Sequence, residues 1–283
     1  MRRAAYNASP VSPKTRTALP APLAPVLVLV GWFFMTLGGL VAARTLGLRA
    51  TLVVSELLLA LPALVAVALY GVSLRDGVGL RLVPARAFGL SMALGATLWG
   101  LSLGLFELQY TVWRPPPGYL DAFQRLHEML RPSGPLDAAI SLLAIAIAPA
   151  ACEELLFRGA ALPALERLGA PAAAVLSSLL FGVIHLDAAG GRLSLYRVPF
   201  AFAVGLGLAA IRLRTGSLGP AIVAHATLNA ITFTAVPFAT TPDGTLPEAR
   251  PLFGAALLFG GFFGSALFFA LLRDPLTPRR TRP

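Results

Sequence analysis

The sequence predicts an all-α fold, a polytopic membrane bundle of about eight transmembrane helices. Three observations carry this. Of the 283 residues, 57% are hydrophobic and only 13% charged, where a soluble domain carries about 25% charged residues. Mean hydropathy is +0.76. The apolar residues lie in runs of about 20, the length a helix needs to cross the hydrocarbon core. A secreted soluble protein is thereby excluded. The net charge of +10 does not indicate nucleic acid, because the basic residues are scattered between the apolar runs and form no stripe. The single Cys152 leaves no intrachain disulfide framework and no Cys-based zinc site.

Eight candidate spans follow in order: 23–43, 52–71, 88–110, 136–157, 171–186, 195–211, 218–236 and 252–272. The fifth is short, and the third carries Glu107 near its end. Residues 1–22 form a basic tail, 23–272 a single transmembrane domain and 273–283 a second basic tail. The first twenty residues are polar, basic and Pro-containing, and a full-length span follows them, which is not the pattern of a cleavable signal peptide. With the N-terminus in the cytoplasm, 15 of the 23 Lys and Arg fall on the cytoplasmic side, Arg158 among them, and 8 on the other. The positive-inside bias therefore predicts an inner-membrane protein with both termini cytoplasmic. The loop 113–131 places Tyr119, Phe123, Leu126, Met129 and Leu130 at helical spacing, as in an interfacial amphipathic helix that lines a substrate entrance or lids the bundle. The stretch 237–251 reads as an ordinary loop. No internal repeat of the inverted-repeat transporter kind is evident.

Of the 13 acidic residues, Glu153 and Glu154 stand out, because they follow the apolar run 142–151. A charge at membrane depth costs roughly 3 kcal/mol on insertion scales and usually serves function. From the pair alone two readings stand equal. The pair is either a buried acid–base site or the interfacial end of a helix that stops at Ala151. Arg158 favours the first. It lies four residues after Glu154 on the same helical face and is placed to hold that carboxylate ionised. Glu153, about 100° away, is left to face another helix.

Three histidines are present. His127 lies in the amphipathic loop and reads as an interfacial side chain. His185 ends the fifth apolar segment, one turn after Phe181. His225 lies inside the seventh, one turn before Asn229. A lone His on an apolar helix is more often a packing residue, but these share a region with the carboxylate pair. If the fourth helix runs on to about Leu168, the turn Gly169-Ala170-Pro171 reverses the chain. Glu153 is 17 residues before Ala170 and His185 is 15 after it, which sets both at one level of a hairpin. Pro163, within this stretch, is a candidate break.

Together these residues resemble a known family. Glu153-Glu154-Leu155-Leu156-Phe157-Arg158 is similar to its EExxxR motif, Phe181-Gly182-Val183-Ile184-His185 to its FxxxH and His225-Ala226-Thr227-Leu228-Asn229 to its HxxxN. Each motif alone is weak; three in order on separate apolar segments are specific. They resemble the CPBP or Abi family, the CAAX-protease and bacteriocin-processing intramembrane proteases, over a core of 136–236. The resemblance implies an eight-helix membrane endopeptidase acting on a membrane-tethered protein or peptide. By the same resemblance, Glu153 activates the water, Glu154 and Arg158 order the site, His185 shares the water or its proton, and His225 and Asn229 stabilise the oxyanion.

The family is often called metalloprotease and is also described as glutamate-dependent without metal. A catalytic zinc takes three protein ligands and an open position, which Glu153, His185 and His225 would supply here. That choice leaves Glu154, the carboxylate that reaches Arg158, as the base, and there is no HExxH. The expectation is therefore no cofactor, with zinc as the alternative. Against the endopeptidase stand two other readings: a transporter or proton relay built on intramembrane Glu and His, and a non-catalytic member that keeps only the fold.

Overall fold

The computed structural model describes residues 16–116, 118–189, 192–235 and 250–272. Nine helices, a short π-helical turn at Leu74–Val78 and one small hairpin are described. The helices are α1 (Leu23–Ala42), α2 (Leu48–Leu69), α3 (Ala85–Val112) and α4 (Tyr119–Met129), then α5 (Pro135–Leu168), α6 (Ala170–Ile184), α7 (Val198–Thr215), α8 (Leu218–Ala235) and α9 (Pro251–Leu271). Between α6 and α7, β1 (Asp187–Ala189) pairs antiparallel with β2 (Arg192–Ser194), in the register Asp187↔Ser194. The hairpin and an isolated bridge between Arg16 and Val72 are the departures from an all-α chain among the described residues. The sequence signal for the hairpin is the Gly190–Gly191 pair between two short runs.

All eight predicted spans are helices, and seven are long and apolar enough to cross a membrane. The fifth, α6, has 15 residues, about 22 Å at 1.5 Å per residue. Side chains such as Phe33, Leu40, Phe262 and Phe263 point outward, as they do where lipid is the solvent. The amphipathic loop forms α4 as expected. Leu130, just past its end, is buried, and its carbonyl accepts from Arg49 Nη2 and from Ser141 Oγ, each at 3.2 Å. His127 stacks on Phe233 of α8, centroids 5.7 Å apart. Residues 1–15 of the first tail, the second tail and most of the 237–251 loop lie outside the described residues, while Leu19 and Ala21 at the end of the first tail are buried in the core.

The helix α5 decides the depth of the glutamates. It does not stop at Ala151 but continues to Leu168 over 34 residues, about 51 Å, against a hydrocarbon core of about 30 Å. Glu153 and Glu154 sit mid-helix, with 8% and 0% of their surface exposed. Pro163 does not break the helix either. The backbone widens to π-helical turns over Leu143–Ile147 and Leu155–Ala161, shortly before Pro149 and Pro163. A proline cannot donate to the i−4 carbonyl and its ring crowds that carbonyl. The wider i→i+5 turn relieves this conflict. Gly169, with φ +94°, then reverses the chain into α6.

The buried apolar residues form two hydrophobic clusters, and α5 belongs to the first. Leu59 and Ala63 of α2, Val28 of α1, Leu156, Phe157 and Leu162 of α5 and Phe181 of α6 belong to the first. Leu94 and Leu98 of α3, Leu208 of α7 and Ala221 and Ala224 of α8 belong to the second. Where α3 crosses α9, small residues let the backbones touch: a Cβ on Gly104 would stand 2.5 Å from Leu258 N, and one on Gly261 2.4 Å from Leu101 N. Membrane helices associate by such packing, because lipid offers them no hydrophobic drive.

Candidate active site

α5 delivers three of the six motif residues. Within its second π-helical turn, Arg158 is fully buried. Its Nη1 donates to Glu154 Oε1 at 2.8 Å and its Nη2 to the Gly205 carbonyl of α7 at 2.8 Å. The guanidinium lies 4.6 Å from the Phe181 ring centroid of α6, within cation–π range. The second bond depends on Gly205, because a Cβ there would sit 3.0 Å from Ser178 Cβ and 3.3 Å from Arg158 Nη2. Arg158 thus ties α5, α6 and α7 together at one point. It is a buried charge with a buried counter-ion, the arrangement in which an intramembrane arginine persists. It does not belong on the cytoplasmic face, where the charge tally had counted it.

α8 brings His225. Its entry is fixed by the α2–α3 connection: Leu218 N–H donates to Gly79 O at 2.9 Å, Ser217 Oγ to Arg81 O at 2.7 Å, and Arg212 Nη2 to Gly77 O at 3.2 Å. From there His225, 4% exposed, places Nδ1 3.1 Å from Glu154 Oε1 and Nε2 3.9 Å from Glu153 Oε2. The two adjacent glutamates therefore address the two nitrogens of one imidazole. Because the carboxylate of Glu154 is paired with Arg158, it accepts, and the Nδ1 of His225 carries the proton. Its Nε2 then donates only in the imidazolium form.

His185 follows the last turn of α6. Its Nδ1 lies 2.8 Å from Phe181 O. A carbonyl only accepts, so Nδ1 carries the proton and Nε2 of the neutral ring presents a lone pair. The Phe181 ring stands between the two histidines, 4.8 Å from His185 and 5.7 Å from His225, and meets Phe157 edge-on at 5.2 Å. Asn229 is half-buried one turn after His225 on α8 and makes no hydrogen bond to the other five. The structure therefore brings Glu153, Glu154, Arg158 and His225 into direct contact, joins His185 to them across Phe181, and leaves Asn229 beside them.

A bound metal would need at least three donors gathered at one point. Among the described residues no group of three or more His, Cys, Asp or Glu is gathered closely enough to hold one. Within the alternative set of Glu153, His185 and His225, Nδ1 of each histidine is held, by the Phe181 carbonyl and by Glu154, which leaves each Nε2 open.

Sequence reasoning passed over two residues. Gly205 carried no motif, and its part is visible only once α6 and α7 cross. Glu56 of α2 lies inside an apolar span, and its Oε2 is buried without a hydrogen-bond partner. The criterion that singled out Glu153, an acid within an apolar run, applied to it equally.

Residues 135–231, about a third of the chain, match the family model described as type II CAAX prenyl endopeptidase Rce1-like. The match covers all six motif residues. No curated protein and no solved structure gives a significant match.

Proposed function

We propose that this chain, whose segment 135–231 belongs to the Rce1-like family of type II CAAX prenyl endopeptidases, hydrolyses a peptide bond of a membrane-tethered protein or peptide with a water activated by Glu153. The observation that carries the reading is the division of labour between adjacent carboxylates. Arg158 and His225 hold Glu154 in place through Oε1. Glu153 is buried, but its Oε2 has no hydrogen-bond partner among the described residues.

Peptide hydrolysis needs a base for the water and donors for the developing oxyanion. Glu153 takes the proton as the water attacks the carbonyl carbon. The lone pair of His185 Nε2 relays that proton. The oxyanion is met by Asn229 and, when its ring carries both protons, by Nε2 of His225. Collapse returns the proton from Glu153 to the leaving amine. No metal enters the reaction in this reading. The membrane is the cell (inner) membrane, with both termini cytoplasmic.

The test compares membranes of cells carrying wild-type protein and the Glu153→Ala variant, with the folded amount of each checked. Uncleaved membrane-tethered precursors are expected to accumulate in the variant, and the purified enzyme is expected to keep cleaving in chelator. Identical precursor profiles would sink the endopeptidase reading. Chelator-sensitive activity restored by one metal would sink the metal-free mechanism.

A further inference from the structure

We propose that Glu56 is a third carboxylate of the site, which holds the attacking water jointly with Glu153; the proposal rests on the endopeptidase reading above. Glu56 lies in α2, outside the segment matched to the family. α2 packs directly on the Ala148–Glu154 stretch of α5. Oε2 of Glu56 and Oε2 of Glu153 are both inaccessible to solvent, and neither has a hydrogen-bond partner among the described residues. The charge of Glu56 acts on Glu153 and on Cys152 beside it, so Glu56 stands near the turn of α5 that carries Glu153, whose Oε2 lies 3.9 Å from His225 Nε2.

A buried carboxylate oxygen without a donor is costly, and two acceptors cannot satisfy each other. A water can satisfy both, because it gives one O–H to each oxygen and keeps a lone pair for attack. One carboxylate would leave that water free to rotate. Two fix its orientation, which is the gain that positioning offers a reacting group. In the attack the water oxygen forms the new C–O bond and the carbonyl π electrons move to the oxygen facing His225. One water proton passes to Glu153. The other stays on the new hydroxyl, which remains hydrogen-bonded to Glu56. When the C–N bond breaks, the proton on Glu153 goes to the leaving nitrogen.

The experiment uses the full chain in lipid nanodiscs, with wild type, Glu56→Leu and Glu56→Gln compared in two ways. A structure at a resolution that shows waters is expected to place one between the two Oε2 atoms in wild type and none in Glu56→Leu. Single-turnover cleavage of a lipid-tethered, quenched-fluorescent peptide library is expected to show kcat about 100-fold lower in Glu56→Leu, with KM nearly unchanged. Glu56→Gln keeps an acceptor oxygen and recovers about tenfold of that loss. In a Glu153→Gln background, Glu56→Gln adds no further loss, the signature of two groups acting on one water. Wild-type kcat in Glu56→Leu, or the two carboxyls in direct contact with no water between them, would overturn the proposal. Should Glu56→Leu not fold, the Glu56→Gln variant and the double variant decide it. If wild type cleaves nothing, the endopeptidase reading fails, while the bridging water still decides whether Glu56 and Glu153 form one site.

Discussion

Arg158 balances the charge of the buried site. It has no exposed surface, and it satisfies one carboxylate and one backbone carbonyl from a different helix. Removing one member of a buried pair leaves an uncompensated charge, which costs about 3–5 kcal/mol. Arg158→Ala is therefore expected to lower thermal stability in detergent by that amount, and Arg158→Lys to recover only part, because an ammonium lacks the planar fork. Replacing both members, as Arg158→Met with Glu154→Leu, should restore most of the stability but no activity, since His225 loses its Nδ1 acceptor. An Arg158→Ala protein as stable as wild type would refute the account. At this scale the sequence was legible where contacts are local. Glu154 and Arg158 are four residues apart, so their pairing follows from helix geometry. The bond from His225 to Glu154 spans 71 residues and has no local signature. Glu56 was legible in kind, as an acid in an apolar run, but no neighbour at helical spacing marked it.

At the scale of elements, prolines shape the catalytic helix and glycines shape the packing around it. The π-helical turns of α5 precede Pro149 and Pro163, and the second of them carries Arg158. The sequence showed Pro163 as a possible break; whether a proline breaks a helix or widens it depends on the packing of its neighbours, which composition does not contain. The α3–α9 contact is different, because it lies away from the motif residues. There Gly261 meets the Leu101 backbone and Gly104 meets that of Leu258. Gly261→Leu must push α9 off α3, a large insertion into a close backbone crossing, at a cost of about 1–3 kcal/mol or more. The expected result is a lower unfolding temperature with unchanged kcat in the molecules that remain folded. A loss of kcat equal to that of Glu153→Ala, at full stability, would show that α9 reaches the site after all.

The described chain packs as two clusters, the first including α5, and His225 reaches α5 from α8, whose Ala221 and Ala224 belong to the second. Its orientation turns on one short element. Withdrawing the buried Arg158 from the cytoplasmic count changes the tally from 15 against 8 to 14 against 8, so the positive-inside bias survives. Seven full-length helices alone would leave the two termini on opposite sides. The 15-residue α6 brings them to the same side if it counts as a crossing, and a bilayer thins locally around a short helix at modest cost. A reporter fused to either terminus is therefore expected to register in the cytoplasm. Cysteine placed at Arg125 of α4, an exposed helix in the loop between the third and fourth crossings, should react with a membrane-impermeant thiol reagent added from outside. The native Cys152 is buried and leaves this labelling unobscured. A C-terminal reporter on the opposite side from the N-terminal one would mean that α6 enters the bilayer without crossing it. His185, at the end of α6, would then lie in a re-entrant segment lining the site, and substrate would reach Glu153 from the face on which α6 both enters and leaves.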